Sequence, residues 1–247
     1  MVRRCVQVLV ALFAVTASPS FADTTNLDFT GTTGIRSSYS TTSGGIGVTA
    51  TGYTYTVAPS SLDGMNLSSL TSTNLLSVSS NGIGVCTEGG SASGTSGECP
   101  QVDTNSTPNE ALLLSFTGGT DFSITSAVLN IVDSDDTLGI YGVTSSGLLQ
   151  WLGFAGNIAT GGTGFTSTLD GSVSSTLTQY DLVFDPALTG FTSYLFTSNR
   201  DTTDGYRLRS LTVAAVPEPE AWALLLLGFC AIGLQIRGRG ALRSVTA

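Results

Sequence analysis

The feature that most constrains the fold is a series of short runs rich in Val, Ile, Thr, Tyr and Phe, separated by Gly, Ser, Asn and Asp. Successive side chains of an extended chain point to opposite faces, so alternation of apolar and polar residues predicts half-buried β-strands. Examples of these runs are residues 52–57, 75–78, 111–116, 127–132, 138–143, 148–154, 179–184, 191–197 and 207–213. Turn residues lie between them and no fixed period repeats, so residues 23–215 are predicted to form an all-β sandwich.

The charged residues exclude several functions. The chain has no Lys and no His, and residues 23–215 contain four arginines against all but two of the 18 acidic residues. Such a surface repels phosphate backbones, so we expect no nucleic-acid binding. Ser-His-Asp hydrolases, Lys-activated nucleophiles and His-containing zinc sites are excluded. Paired carboxylates could still serve a glycosidase. The aspartates lie in turn-like contexts, however, where capping of the turn is the expected role. We therefore expect no enzyme activity.

The N-terminus has the three-part pattern of a secretory signal peptide. Arg3 and Arg4 give a positive start, and an apolar run too short to span a bilayer follows at residues 6–15. Ser20 and Ala22 are small residues at the positions that signal peptidase requires. We expect export through the Sec translocon, with residues 1–22 removed by cleavage after Ala22.

The C-terminus combines a proline-rich entry, an apolar segment and a basic end. The entry is Val216, Pro217, Glu218 and Pro219. Residues 221–236 carry no charge, and as a helix they reach roughly 24 Å, which a locally thinned bilayer accommodates. They are therefore predicted to form a transmembrane helix. The basic residues that follow are Arg237, Arg239 and Arg243. By the positive-inside rule these arginines stay in the cytoplasm, so the domain before Pro217 faces the exported side.

This three-part tail, residues 216–240 with a short cytoplasmic end at 241–247, resembles the PEP-CTERM sorting signal. In that family a Pro-Glu-Pro tripeptide precedes an apolar helix and an arginine cluster. Glu220 departs from the family, where Ser or Thr is common. The same tail motif is also catalogued under an ice-binding-protein label. The Thr pairs of this chain follow no period, and neighbouring residues of a strand face opposite ways, so we do not expect an ice-binding face.

The resemblance implies recognition by an exosortase, a membrane transpeptidase that cuts near the Pro-Glu-Pro and releases or relocates the protein. The chain would be anchored in the inner membrane before processing and would then reach the cell surface or an extracellular matrix. A non-enzymatic role in biofilm or floc formation follows from this reading. Two alternatives stay open: a permanently anchored single-pass membrane protein, and a carbohydrate-binding β-sandwich for extracellular polysaccharide with Trp151 and Tyr206 as candidate aromatics.

A looser resemblance concerns the domain itself. Phrases at residues 81–85, 109–116, 132–136 and 204–208 are similar to those of exported domains that often precede this tail. Those domains look like jelly rolls, so the resemblance implies a jelly-roll-like β-sandwich. It suggests a fold more than a function.

Cys86 and Cys99 are the cysteines expected to remain after processing, because Cys5 lies in the signal peptide and Cys230 in the apolar tail. An exported compartment is oxidising, so the pair is predicted to form a disulfide. A metal site or a catalytic cysteine is not expected here, because the chain has no His to serve as a further ligand or as a base. Closing a loop of this size contributes roughly 3 kcal/mol in the chain-entropy model.

Ca²⁺ is a possible cofactor, because the sequence contains two groups of residues with side-chain oxygen ligands. The first group is Asp103, Asn105 and Glu110, and the second is Asp133, Asp135 and Asp136. Carboxylate and amide oxygens suit Ca²⁺, although the second group lacks the Gly and the distal Glu of an EF-hand. Solvated acidic turns are the alternative, and the sequence leaves both readings open.

Overall fold

Antiparallel strands form most of the protein in the computed structural model, which describes residues 24–87, 101–104, 108–117, 122–172, 178–199, 205–215, 226–230 and 232. The strands are β1 (Thr24–Asp28), β2 (Gly34–Arg36), β3 (Tyr39–Ser43), β4 (Ile46–Tyr55), β5 (Thr71–Thr73), β6 (Leu76–Ser79), β7 (Gly82–Val85), β8 (Val102–Asp103), β9 (Asn109–Thr117), β10 (Phe122–Val132), β11 (Thr137–Val143), β12 (Leu149–Asn157), β13 (Gly161–Thr163), β14 (Phe165–Ser172), β15 (Thr178–Leu188), β16 (Ser193–Thr197) and β17 (Gly205–Ala215). Short 3₁₀ helices lie at Pro59–Ser61 and Leu67–Ser69. The all-β prediction is confirmed.

The strands form one long antiparallel ladder. Its first part runs β1–β17–β10–β15–β14. Its second part runs β12–β11–β16–β9–β4–β3, with β5 also paired to β4. The short strand β13 joins the two parts at one edge. The ladder therefore brings together strands that are distant in sequence, including the first and the last.

The two parts of the ladder share one buried apolar cluster. Leu27, Leu211 and Leu182 reach it from the first part, and Leu114 and Phe196 reach it from the second. Each strand contributes alternate residues, as its sequence pattern predicts. Burial of these side chains on both parts is the main source of stability, at about 25 cal/mol per Å² of apolar surface.

A second apolar cluster lies on the opposite face of the second part. Leu113, Leu195 and Tyr141 of three neighbouring strands are covered there by Leu62 and Leu70, from the segment that carries the 3₁₀ helices. Backbone hydrogen bonds fix this cover: Gly64 N donates to Leu149 O at 2.8 Å, and Leu149 N donates to Met65 O at 2.8 Å. Tyr141 Oη also donates to Pro59 O at 2.6 Å. This face is therefore covered by the chain itself.

The hairpin of β6 and β7 is docked against the central strand β17. Leu208 of β17 pairs with Ile83 of β7. Gly82 has a φ of 110°, and a Cβ at this position would lie 2.3 Å from the carbonyl oxygen of Leu208. Only glycine allows both this backbone conformation and this close approach.

The two ends of the compact unit Thr24–Ala215 lie side by side. β1 pairs with the end of β17, so Thr24 stands opposite Ala214. None of the helices formed by the described residues is long and apolar enough to cross a bilayer. Of the predicted span 221–236, the structure describes residues 226–230 and 232, which are helical with Leu226, Leu227 and Phe229 exposed.

Gly82→Ala is expected to lower the free energy of unfolding by at least about 3 kcal/mol, because the cost of a left-handed L-residue adds to the clash with Leu208. Gly45→Ala is the matched control, since Gly45 has a φ of 80° with nothing within 4 Å of its added Cβ. This control should cost about 1–2 kcal/mol. Urea unfolding followed by circular dichroism measures both values, and equal costs would contradict the proposed close approach.

Candidate functional site

The start of β17 is the meeting point of the acidic residues that the sequence singles out. Asp103 of β8 pairs with Gly205, the first residue of β17. Gly205 N donates to Asp136 Oδ1 at 2.9 Å. Both aspartates and Glu110 of the neighbouring β9 are buried. Residues separated by about 100 positions are thus brought to one end of the domain.

The turn between β10 and β11 uses its aspartates as caps. Asp133 N donates to Asp136 Oδ2 at 2.7 Å, and Asp135 N donates to Asp133 Oδ1 at 3.2 Å. Asp133 and Asp135 are exposed. With both oxygens of Asp136 bound to backbone N–H groups, the geometry favours the solvated acidic turn over a Ca²⁺ loop.

The rest of the described chain was also considered for groups of side chains that could bind a metal ion. Within the described ranges, no group of three or more His, Cys, Asp or Glu side chains could hold a metal ion. Asn105 lies outside the described residues. Of the first acidic group, the structure therefore brings together Asp103 and Glu110.

Glu110 is a buried acid of this end whose pKa is strongly raised. Thr87 N and Thr87 Oγ1 donate to Glu110 Oε1 at 2.8 and 2.7 Å, while Oε2 is buried and accepts no hydrogen bond. Burial first, and then the charge of Asp103, raise the pKa of Glu110 to about 8, against the lowering effect of hydrogen bonds from Thr87 and the Asp103 backbone. The carboxyl is accordingly a site for either a proton or a cation.

The same end contains a strained residue that the sequence does not reveal. Ile131, at a bulge in β10, has a φ of 58°, and a β-branched residue rarely adopts this left-handed conformation. Gln101 Nε2 donates to Ile131 O at 2.8 Å and to Gly205 O at 3.1 Å. The sequence gives no sign of this conformation, because Ile131 lies inside a run, residues 127–132, that is predicted to be a regular strand.

The predicted processing residues are outside this description. Residues 1–22, the tail tetrapeptide and the basic cluster lie beyond the described residues, so their roles stay predictions. Their points of attachment are nevertheless defined, since Thr24 and Ala214 are neighbours in the ladder.

The two candidate aromatics for carbohydrate binding have different environments. Tyr206 is fully buried in the core, and its Oη donates to Thr197 O at 3.2 Å, so its assignment to an exposed aromatic row is wrong. Trp151 is partly exposed and packs on Tyr141 with ring centroids 4.9 Å apart. A single aromatic that also packs against the second cluster is weak support for a carbohydrate platform.

Cys86 is buried and its sulfur takes part in a disulfide. Cys99 lies outside the described residues, so the pairing of Cys86 with Cys99 stays a prediction. Cys230 is free and exposed.

No family model, no curated protein and no solved structure matches this chain.

Glu110 should make the stability of the metal-free protein depend on pH. Its pKa is about 8 in the folded state against a reference of 4.5, so between these values the folded state holds a proton that the unfolded state has lost. Stability should therefore be greatest below pH 4.5 for this group and fall with rising pH until about pH 8, by up to about 1.4 kcal/mol per pH unit.

Urea unfolding in EDTA at several pH values measures this slope. Glu110→Gln should remove it, whereas Asp28→Asn, at an exposed acid of β1, should leave it unchanged. An unchanged slope in Glu110→Gln would assign the dependence to another group.

The disulfide is tested in protein purified from an oxidising compartment. Non-reducing peptide mapping should give one linked peptide that contains Cys86 and Cys99. Cys86→Ser should lower the free energy of unfolding by about 3 kcal/mol, since the closed loop constrains the unfolded chain. Cys230→Ser is the control and should have no effect on the domain. Free thiols at both positions in this protein would disprove the pairing.

Proposed function

We propose that this chain is the precursor of an exported, non-enzymatic surface or matrix protein, sorted by an exosortase through its C-terminal tail. The observation that carries the proposal is the ordered tail: the Pro-Glu-Pro tripeptide, the uncharged segment 221–236 and the arginines beyond it. Biofilm or floc material is the proposed destination. The remaining support comes from the way in which the folded unit meets its two terminal segments.

The folded unit occupies the interval between the two proposed processing sites. Its first strand begins at Thr24, two residues after Ala22, and its last strand ends at Ala215, immediately before Val216. Pro217 has no amide hydrogen, so a ladder cannot continue through it. Cleavage after Ala22 and near Pro219 would therefore leave the pairing of β1 with β17 complete.

The environment of the tail residues also supports membrane insertion before processing. Leu226, Leu227, Phe229 and Ile232 are helical and exposed. Apolar side chains exposed in this way are stabilised by lipid. The positive residues beyond the segment would fix its orientation.

The finer architecture that we propose is a jelly-roll-like β-sandwich. The support is the antiparallel sheet, two parts of which bury side chains in one shared core. Such a module has no built-in chemistry, which agrees with the absence of His and Lys from the sequence. Binding of extracellular polysaccharide remains an alternative, with Trp151 as its one accessible aromatic candidate.

Intact mass of the protein from cells with and without the exosortase tests the sorting proposal. With the enzyme, the mature chain should begin at Asp23 and should have lost the residues beyond the Pro-Glu-Pro. Without it, the chain should begin at Asp23 and keep its C-terminus. Replacement of Pro217 and Glu218 by Ala should block cutting, and Glu220→Gln is the matched control outside the tripeptide.

The same C-terminus in both strains would refute sorting. If that C-terminus is Ala247 and the protein stays in the membrane fraction, the result would establish the permanently anchored alternative.

A further inference from the structure

Two buried side chains from neighbouring strands converge on the turn between β6 and β7. Arg207 of β17 is 2% exposed, and Asn130 of β10 is 0% exposed. The two residues are directly opposite each other in the antiparallel pairing, so their side chains extend from the same face of the sheet, with Cβ atoms about 5 Å apart. Asn130 Nδ2 donates to Asn81 O at 3.1 Å, and Arg207 Nη2 donates to Gly82 O at 2.7 Å. Both side chains therefore end at two consecutive residues of one turn.

Each of these side chains keeps one buried polar atom without a hydrogen-bond partner. On Arg207 this atom is the donor Nε, and on Asn130 it is the acceptor Oδ1. An unpaired buried polar atom costs about 1–3 kcal/mol, and nearly all such atoms in native proteins have a partner from the protein or from water. Because one of the two atoms donates and the other accepts, a single small molecule between them satisfies both.

The turn sets the orientation of the Asn130 amide. Asn81 O can only accept a hydrogen bond, so it requires the Nδ2 group of Asn130. The flipped amide would place Oδ1 against Asn81 O, with two acceptors together and both Nδ2 donors left over. Oδ1 is therefore the atom that remains unpaired, and a ligand that completes this joint has to donate a hydrogen bond to it.

The chemistry of the two unpaired atoms selects the ligand. The guanidinium repels a cation, and an anion without a hydrogen cannot donate to Oδ1. The ligand must accept from Nε and donate to Oδ1, and it must be small because both side chains are almost fully buried. Water meets these requirements, and a buried water makes about three hydrogen bonds. Ser77 Oγ, which accepts from Arg207 Nη2 at 3.4 Å, is a hydroxyl that can provide the third.

We propose that one internal water molecule bridges Arg207 Nε and Asn130 Oδ1 and is a fixed part of the joint between β10, β17 and the β6–β7 hairpin. The water accepts a hydrogen bond from Nε and donates one to Oδ1. Burial lowers the pKa of Arg207 to about 10, so the guanidinium is charged at neutral pH and its hydrogen bond to the water is charge-assisted. Exchange of this water with solvent would require the hairpin to separate from β17. The inference does not depend on the sorting tail.

Water–protein NOE spectroscopy of the isotope-labelled full-length protein in detergent tests the proposal. The Arg207 Hε signal should show a direct NOE from water, with the sign of a long-lived bound molecule. Arg209 is the matched control in the same strand, because it is only partly buried and its Nη1 donates to Gln179 Oε1 at 3.1 Å. Its Hε should show no long-lived water. A resolved Arg207 Hε signal without the water NOE would overturn the proposal.

Crystals soaked in NaBr distinguish water from an anion at the same place. We expect a peak of water density between Nε and Oδ1 with no anomalous signal from bromide. Anomalous bromide density in contact with Arg207 Nε would show an anion site and overturn the proposal.

Asn130→Leu removes the acceptor with little change in size, and it should abolish the long-lived water NOE at Arg207 Hε. Asn26→Leu, at an exposed position of β1, is the control and should keep the NOE. An unchanged NOE in a folded Asn130→Leu variant would assign the water to another site and overturn the proposal. The wild-type NOE and the bromide soak decide the question if this variant does not fold.

Discussion

The pairing of β17 is the constraint on which the rest of the structure depends. One edge of this strand pairs with β10, and the other pairs in turn with β8, β7 and β1. The strand thus connects the acidic end, the β6–β7 hairpin and the first strand. Its residues Leu208, Leu211 and Val213 also lie in the shared core. Loss of register here would displace every one of these contacts, because a slip by one residue exchanges the two faces of a strand.

A buried arginine fixes that register. Arg207 lies almost fully buried, and its guanidinium donates to Gly82 O, while burial lowers its pKa to about 10. It therefore stays charged at neutral pH, and carbonyl oxygens offset part of its desolvation. Asn130, directly opposite Arg207 in β10, donates to Asn81 O at 3.1 Å. These two contacts favour one docking position for the hairpin, since any other would leave Arg207 Nη2 and Asn130 Nδ2 buried without their acceptors.

The sequence predicts a strand where apolar and polar residues alternate clearly. It does not predict a strand whose formation depends on pairing with another strand. The runs at 138–143 and 207–213 became β11 and β17. β3 and β14 have a weaker apolar pattern, because Ser and Thr dominate them, and pairing with β4 and β15 stabilises them. In the candidate site, the acidic residues are visible in the sequence but their burial is not. Glu110 begins an otherwise apolar run, and only the fold places Asp103 against it.

The two ends of β17 have different roles in the proposed protein. Ala215 lies at the processing end, and Gly205 lies at the acidic end roughly 33 Å away, at the rise of an extended strand. Thr24 and Ala214 are held opposite each other by the ladder. Cutting the tail beyond Ala215 would therefore leave the pairing of β17 with β1 and β10 in place. Processing would therefore change where the domain is attached, while the ladder that holds its two ends together would be kept.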